Sequence, residues 1–494
     1  MNYKTIELLK NFSKEEIISF NKFLHSPFYN KSKKANVLFE NLLKFYPKFD
    51  SRKFNKANLY KAIYGTSIYN DSTLRNLFAD LHNLQLKFLG IYKIEEDLKF
   101  DLLNRQTEQL INKNLSGEIS DSIERIDNEI NSLKNINSED FLVVYKSDIM
   151  RYNAGITNIK FSNTKNIKTI FRNIERCADS IEIYFILENL KIWNIKFNLA
   201  KKSSDSAVKH NKFLSSINFK EIEKKLASFP ENFRRYFTVY SKIYLAFNNF
   251  NEVKYFEDLK RTFYANINIL EVYERFFIMG LMLDYCVIMK KEYSENKFFF
   301  ENELFELYKI TINEKLYKSP VNSFIPVDLF RNILIHAVKL GMIEWAENFL
   351  KNYKSELQVQ YKNDLTFFGN AILEFEKQNY QEVLNNINEI NFDYFPLKLD
   401  IKSLLLKTYY CLDYTENIEA HLNSYKQFLY NIVSISKTKK KLHQNFIRTI
   451  RHLYYYKFSK DKVLLEELQN FINTNSVLEK DWLNIEINKL LIGK

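Results

Sequence analysis

The sequence predicts an all-α protein: an α–α solenoid of antiparallel helix pairs preceded by an N-terminal helical module. Three observations carry that prediction. Eight glycines and six prolines in 494 residues fall well below the usual shares of about 7% and 5%, so the residues that shape hairpins and strand ends are scarce. Hydrophobic residues make up 46% of the chain, enough to close a core rather than leave a disordered coil. The apolar residues recur at helical spacing in paired runs, most plainly from Asp328 to Tyr430.

The N-terminal module, residues 1–94, is a series of short helices with legible ends. Ser13 caps SKEEIISFNKFLH, and Glu16 completes a capping box. Pro27 stops that helix, because the residue before a proline is driven out of the helical region. KKANVLFENLLKFY is expected to end at Pro47 and KANLYKAIY at Gly65, where glycine accepts the left-handed conformation. Asn70 or Asp71 then caps STLRNLFADLHNLQLKFL, which closes near Gly90. A helix ending YG followed by one beginning STLRNL resembles the helix-turn-helix core of winged-helix DNA-binding domains. That resemblance implies Ser72, Thr73, Arg75 and Asn76 on the first turns of a recognition helix. GIYKIEEDLKF, which follows, is acidic and shows no β-hairpin wing, so a helical cap on the solenoid is the other reading.

Residues 95–325 stay helical in pattern, with polar breaks at NLSGEIS and NINSED and an Asn-rich stretch near Gly155. The Ser-rich KKSSDSAVKHN reads as a connection, and Pro230 opens a further pair whose break, NNF, is similar to QNY at 378–380. FFIMGLMLDYCVIM is too short to cross a bilayer and contains Asp284, so it reads as a helix buried on most sides. Pro320 and Pro326 interrupt any helix between them and mark a loop or a boundary.

Residues 326–430 hold the clearest pairs: DLFRNILIHAVKLGMIEWAENFLKNY, LTFFGNAILEFEKQNYQEVLNNINEI and IKSLLLKTYYCLDYTENIEAHLNSYKQFL. Taking Ile343, Tyr380 and Tyr414 as equivalent openings of the second helix gives spacings of 37 and 34 residues. The segment resembles the tetratricopeptide repeat family, whose period is about 34 residues. Ala346 and Ala371 stand where that family places small residues, while Val383 and Asn417 depart from it at the position of Ala346. One helix pair cannot bury its apolar stripe alone, so such pairs stack and share a core. Phe367, Phe368, Phe375, Tyr409, Tyr410 and Phe428 are expected in that packing.

Residues 431–494 form a basic helix and a terminal cap. Charge is uneven: residues 1–94 carry a net +9 and residues 434–462 a net +8, leaving −5 for the rest. The C-terminal run reads as a solvated helix face, a nucleic-acid contact or a surface for an acidic partner protein, and any polyanion should be sought at the two ends. The candidate contacts are Arg75, Lys437, Lys439, Lys440, Lys441, Arg448 and Arg451, with Phe446, Tyr454, Tyr455 and Tyr456 available in the nucleic-acid reading to stack on bases.

No phosphate-cradling glycine loop, HExxH, CxxC or GxSxG motif occurs, so no catalytic residue, metal ligand or cofactor is expected. His336 and His421 lie on helix faces as packed residues, and Cys177, Cys286 and Cys411 read as buried thiols of a reducing compartment. The opening MNYKTIELLKNFSKEE carries charge throughout, so the chain is expected in the cytoplasm with no membrane partner. The order KxFLHSPFYNK, YNDSTLRNL, RNIL…GMIEWAENFL and LDIKSLLLKTYY resembles a group of bacterial helical-repeat proteins without an assigned activity, which implies an all-helical fold. The expected role is a non-enzymatic scaffold that takes a peptide or protein segment in a solenoid groove. The alternative is a nucleic-acid-binding regulator that uses the basic ends.

Overall fold

Helix-forming pattern and scarce glycine leave one outcome, and a computed structural model of the chain has it. The structure describes residues 3–49, 51, 53–65, 68–92, 99–158, 164–203, 212–250, 252–292, 294–319, 322–391, 394–433, 435–460 and 462–492. Among these it is all-helical, about 82% helix in 24 α-helices with no strand. The chain divides into two compact units, Met1–Ser132 with Leu142–Ala178, and Leu133–Phe141 with Asp179–Lys494. That division is coarser than the four segments drawn from the sequence.

In the first unit, α1 (Lys4–Lys10), α2 (Lys14–His25), α3 (Lys33–Leu43) and α4 (Lys56–Tyr64) all pack on α5 (Asp71–Tyr92). The reason lies in α5's apolar stripe of Leu74, Leu77, Phe78, Leu81 and Phe88, spaced three and four residues apart and buried. The capping box at α2 is complete: Glu16 N–H donates to Ser13 Oγ at 3.1 Å and Ser13 N–H to Glu16 Oε2 at 2.7 Å. Gly65 ends α4 with φ of +69°. Asn70 is the cap of α5, its Oδ1 accepting from Thr73 N–H at 3.0 Å. That helix runs through Gly90 to Tyr92. Most of GIYKIEEDLKF, residues 93–98, lies outside the described residues, as do Pro320 and residues 204–211 of KKSSDSAVKHN. The unit continues through α6 (Lys99–Asn112), α7 (Ser116–Ser132) and most of α8 (Asp140–Asn158), and the 40-residue α9 (Thr164–Ser203) enters the second unit at Asp179.

The second unit continues through α10 (Lys212–Ser216), α11 (Phe219–Lys225), α12 (Glu231–Asn248), α13 (Val253–Asn266), α14 (Val272–Glu292) and α15 (Lys297–Asn313). The paired region follows as α16 (Val327–Lys339), α17 (Ile343–Tyr353), α18 (Val359–Glu376), α19 (Tyr380–Asn388), α20 (Phe395–Cys411) and α21 (Thr415–Asn431). The chain closes with α22 (Lys437–Ser459), α23 (Lys462–Thr474) and α24 (Lys480–Ile492). Each helix of a pair packs on its partner, and α16, α18, α20 and α22 also pack on one another in succession. α14 carries the FFIMGLMLDYCVIM run, with Ile278, Met279, Met282, Tyr285, Cys286 and Met289 all buried.

One turn recurs at every clear pair. Gly341, Gln378 and Asp413 take left-handed φ of +74°, +64° and +55°. The N–H of the next residue reaches back along the preceding helix: Met342 to Ala337 O at 3.0 Å, Asn379 to Glu374 O at 2.9 Å, Tyr414 to Tyr409 O at 3.1 Å. This is a Schellman cap used as the whole connection. It corrects the alignment read from the sequence: Ile343 and Tyr380 open their helices, but Tyr414 sits one residue before Thr415. The residue equivalent to Ala346 and Val383 is therefore Ile418 rather than the exposed Asn417, and all three equivalents are fully buried. The same turn joins α6 to α7 through Asn114 at φ +57°, with Leu115 N–H bonded to Leu110 O at 3.1 Å. The α12–α13 break is built differently, with Asn249 at φ −127°.

Candidate charged groove

α20 is the helix around which a candidate site can be built. Pro396 at its first turn is compatible with helix initiation, and apolar residues on most of its circumference bury Leu397, Leu399, Leu404 and Leu406. Its remaining stripe, Asp400, Ser403 and Lys407, steps by three and four residues and so shares one face. Each of these polar groups finds a partner from another helix or, for Lys407, from the turn before α24. Asp400 takes a two-pronged bond from Arg331 of α16, Nη2 to Oδ1 at 2.6 Å and Nε to the other oxygen. Ser403 Oγ lies 2.8 Å from Tyr425 Oη, and Tyr425 Oη lies 2.6 Å from His443 Nδ1. Lys407 Nζ meets Glu479 at 2.7 Å and stands 4.5 Å from the centre of the Phe375 ring.

The charges on this face range from exposed to largely buried. Lys439 is exposed to solvent, yet desolvation and then Arg331 hold its ammonium below the ordinary lysine range. Lys339, half exposed, is 3.9 Å from Glu301 and 3.8 Å from Asp481. Burial works against the Arg331 guanidinium, but its bond to Asp400 outweighs that and raises its pKa, with Asp328, itself bonded by Tyr394, adding attraction. Burial lowers the His443 imidazole to about 4, with Lys439 and Arg331 adding repulsion. Burial raises Glu479, but Lys407 and Lys339 outweigh it and leave the carboxyl below its usual range. The result is a surface of alternating charge contributed by α16, α20, α22 and the start of α24. Its fixed, opposed charges suit recognition of a segment that carries both signs. A separate shallow groove between α17 and α18 is lined by Glu347, Lys351, Lys354, Asn370, Glu374 and Lys377.

The structure disperses the basic residues singled out in the sequence. Lys439 belongs to the groove, whereas Lys440 Nζ bonds Tyr430 O at 3.3 Å. Arg448 lies over the Phe471 ring at 4.6 Å, and Arg451 is 3.9 Å from Glu419. Lys437 and Lys441 are exposed. Arg75, in the first unit, is exposed on α5 and paired with Asp71 at 2.9 Å. Phe446, Tyr454 and Tyr456 are buried in the core and have no face to offer a base, which leaves Tyr455 at 50% exposure. His336 and His421 each bond a backbone carbonyl, Glu301 O and Lys402 O, both at 2.8 Å. Cys177 and Cys286 are buried and Cys411 is half-buried.

Sequence reasoning passed over the charged residues that matter most here. The available signal was a charge inside an apolar run, as with Asp400 in FPLKLDIKSLLLKTYY. A second such residue, Glu274, is buried and accepts from Tyr236 Oη at 2.8 Å and Lys191 Nζ at 2.9 Å, with Tyr240 Oη also bonded. In the first unit, buried Asp148 is held by Arg151 at 2.6 Å and by Arg176 through both oxygens. These clusters are internally satisfied and join elements. Among the described residues no group of His, Cys, Asp or Glu could hold a metal ion, and no helix is long and apolar enough to cross a membrane. No protein-family model, curated protein or solved structure matches the chain.

Proposed function

We propose that the chain is a non-enzymatic interaction scaffold, a solenoid of antiparallel helix pairs whose charged groove takes an extended peptide or a segment of another protein. The observation that carries this reading is the opposed set of charges, exposed Lys339, Lys439 and Asp328 around the largely buried Arg331–Asp400 pair and Glu479, on and beside helices that stack in succession. Stacked pairs build extended surfaces of this kind, and paired charges that retain access to water discriminate partners more than they add raw affinity. Arg331 with Asp400 and Lys407 with Glu479 already bond one another, which favours recognition through the exposed Lys339 and Lys439 over chemistry at a reacting atom.

The test is selection from a random peptide library displayed on phage, followed by fluorescence anisotropy of the selected peptides. Binding should weaken with salt and fall at least about tenfold, roughly 1.4 kcal/mol, in Lys439→Glu and Lys339→Glu, whose exposed side chains leave the fold intact. Failure to enrich any peptide, or enrichment indifferent to both substitutions, refutes the reading. A parallel titration with a mixed-sequence duplex and a single strand should show only weak binding; tight, steeply salt-dependent binding would move the assignment to nucleic acid.

A further inference from the structure

The long helix α9 is apolar on two opposite sides, and only one of them is buried along its length within the second unit; on the other, Phe185 stands edge-on to Phe213 of α10 at 5.2 Å. Ile183, Leu187, Leu190, Trp193 and Phe197 are buried. On the other side Ile181, Phe185, Ile192, Ile195 and Leu199 are 43%, 54%, 49%, 44% and 61% exposed. Together with Glu188 these positions step by four, three, four, three and four residues, the a/d register of a coiled coil. A solvated face of a helix has no reason to hold that register for nearly three heptads.

We propose that this seam joins two copies of the chain as an antiparallel coiled coil centred near residue 190. Self-complementarity selects both the partner and the direction. In a parallel pair Glu188 would face its own copy across the seam, placing like charges together. An antiparallel pair centred at 190 sets Leu199 against Ile181, Ile195 against Phe185 and Ile192 against Glu188 of the second copy. Glu188 can turn aside there, because Ser138 Oγ already bonds it at 2.5 Å. The flanking Glu182 of one copy, which also pairs with Lys225 of its own chain, then falls beside Lys196 of the other. The five half-exposed apolar residues would each bury roughly 80 Å². With the flanking positions on both copies the total reaches about 1,200 Å², the lower edge of stable interfaces. The dimer is therefore expected to dissociate on dilution.

Sedimentation velocity of the full chain from about 0.1 to 100 μM should show a monomer–dimer equilibrium. Ile192→Glu combined with Ile195→Glu should raise its dissociation constant at least about 100-fold, with helicity by circular dichroism unchanged because both side chains are exposed. Oxidation of a mixture of E182C and K196C chains should give a cross-linked dimer that neither gives alone. A monomer at every concentration, which is also what a seam covered by the chain's own segments would give, overturns the proposal. So does a dimer indifferent to the double substitution, or one in which E182C cross-links to itself.

Discussion

Gly369 tests the close packing of the paired region most directly. It lies on α18, and a Cβ built there would sit 2.8 and 2.9 Å from the two terminal methyls of Leu350 and 3.0 Å from a methyl of Leu334. Carbon atoms attract best at about 3.5–4.0 Å, so Gly369→Ala must push Leu350 aside by several tenths of an ångström against both α16 and α17. Overpacking of this kind costs about 1–3 kcal/mol. Alanine in a helix interior returns about 1 kcal/mol of propensity over glycine, so the net loss should be about 1 kcal/mol. Gly280 supplies the control. It lies in α14 with nothing within 4 Å of its Cβ position, so Gly280→Ala should stabilise by about 0.5–1 kcal/mol. Urea unfolding followed by tryptophan fluorescence compares the two, since Trp345 stacks on Phe349 at 5.4 Å within α17, the helix that Leu350 would disturb. If Gly369→Ala stabilises as much as Gly280→Ala, the tight approach of α18 to α16 and α17 is refuted.

Further predictions follow from the polar contacts and turns. Asp400→Ala leaves Arg331 largely buried and unpaired and should cost about 3 kcal/mol, whereas Asp400→Leu combined with Arg331→Met should be nearly neutral; a double-mutant unfolding cycle separates the two. His336 and His443 are both held neutral by burial with pKa about 4, against about 6.5 in an unfolded chain. Their stabilisation is full above pH 6.5 and is lost as pH falls toward 4. Between pH 7 and pH 5 each should cost about 2 kcal/mol, and His443→Phe should make the acid limb of an unfolding-versus-pH profile shallower. Gln378→Gly relieves a left-handed non-glycine residue and should stabilise by up to about 1 kcal/mol, read as a higher urea midpoint without a change of slope, whereas Asp413→Gly also gives up the ion pair with Lys457 and should gain less.

How much of this was legible in the sequence depended on whether the cause was local. Helix ends were: Ser13 with Glu16, the proline after Ser26, Gly65 and Asn70 act on backbone groups within a few residues, and each ends or caps a helix as the chain order requires. Apolar spacing likewise determined an all-helical fold and the helix pairs between Asp328 and Tyr430. What escaped was relational. Which residue takes the left-handed position in a turn shifted the third pair's alignment by one, because glycine marks that position only at Gly341 and glutamine or aspartate holds it elsewhere. A lysine-rich run looked like one basic face, but a helix rotates about 100° per residue, so neighbours in sequence met different walls: Lys439 the groove, Arg448 a phenylalanine ring, Arg451 a glutamate. Asp400 and Arg331 are 69 residues apart, and only packing of α16 and α20 on common neighbours makes them a pair. The sequence by itself determined the elements and where they end; tertiary structure decided which charges met one another and which were left facing water.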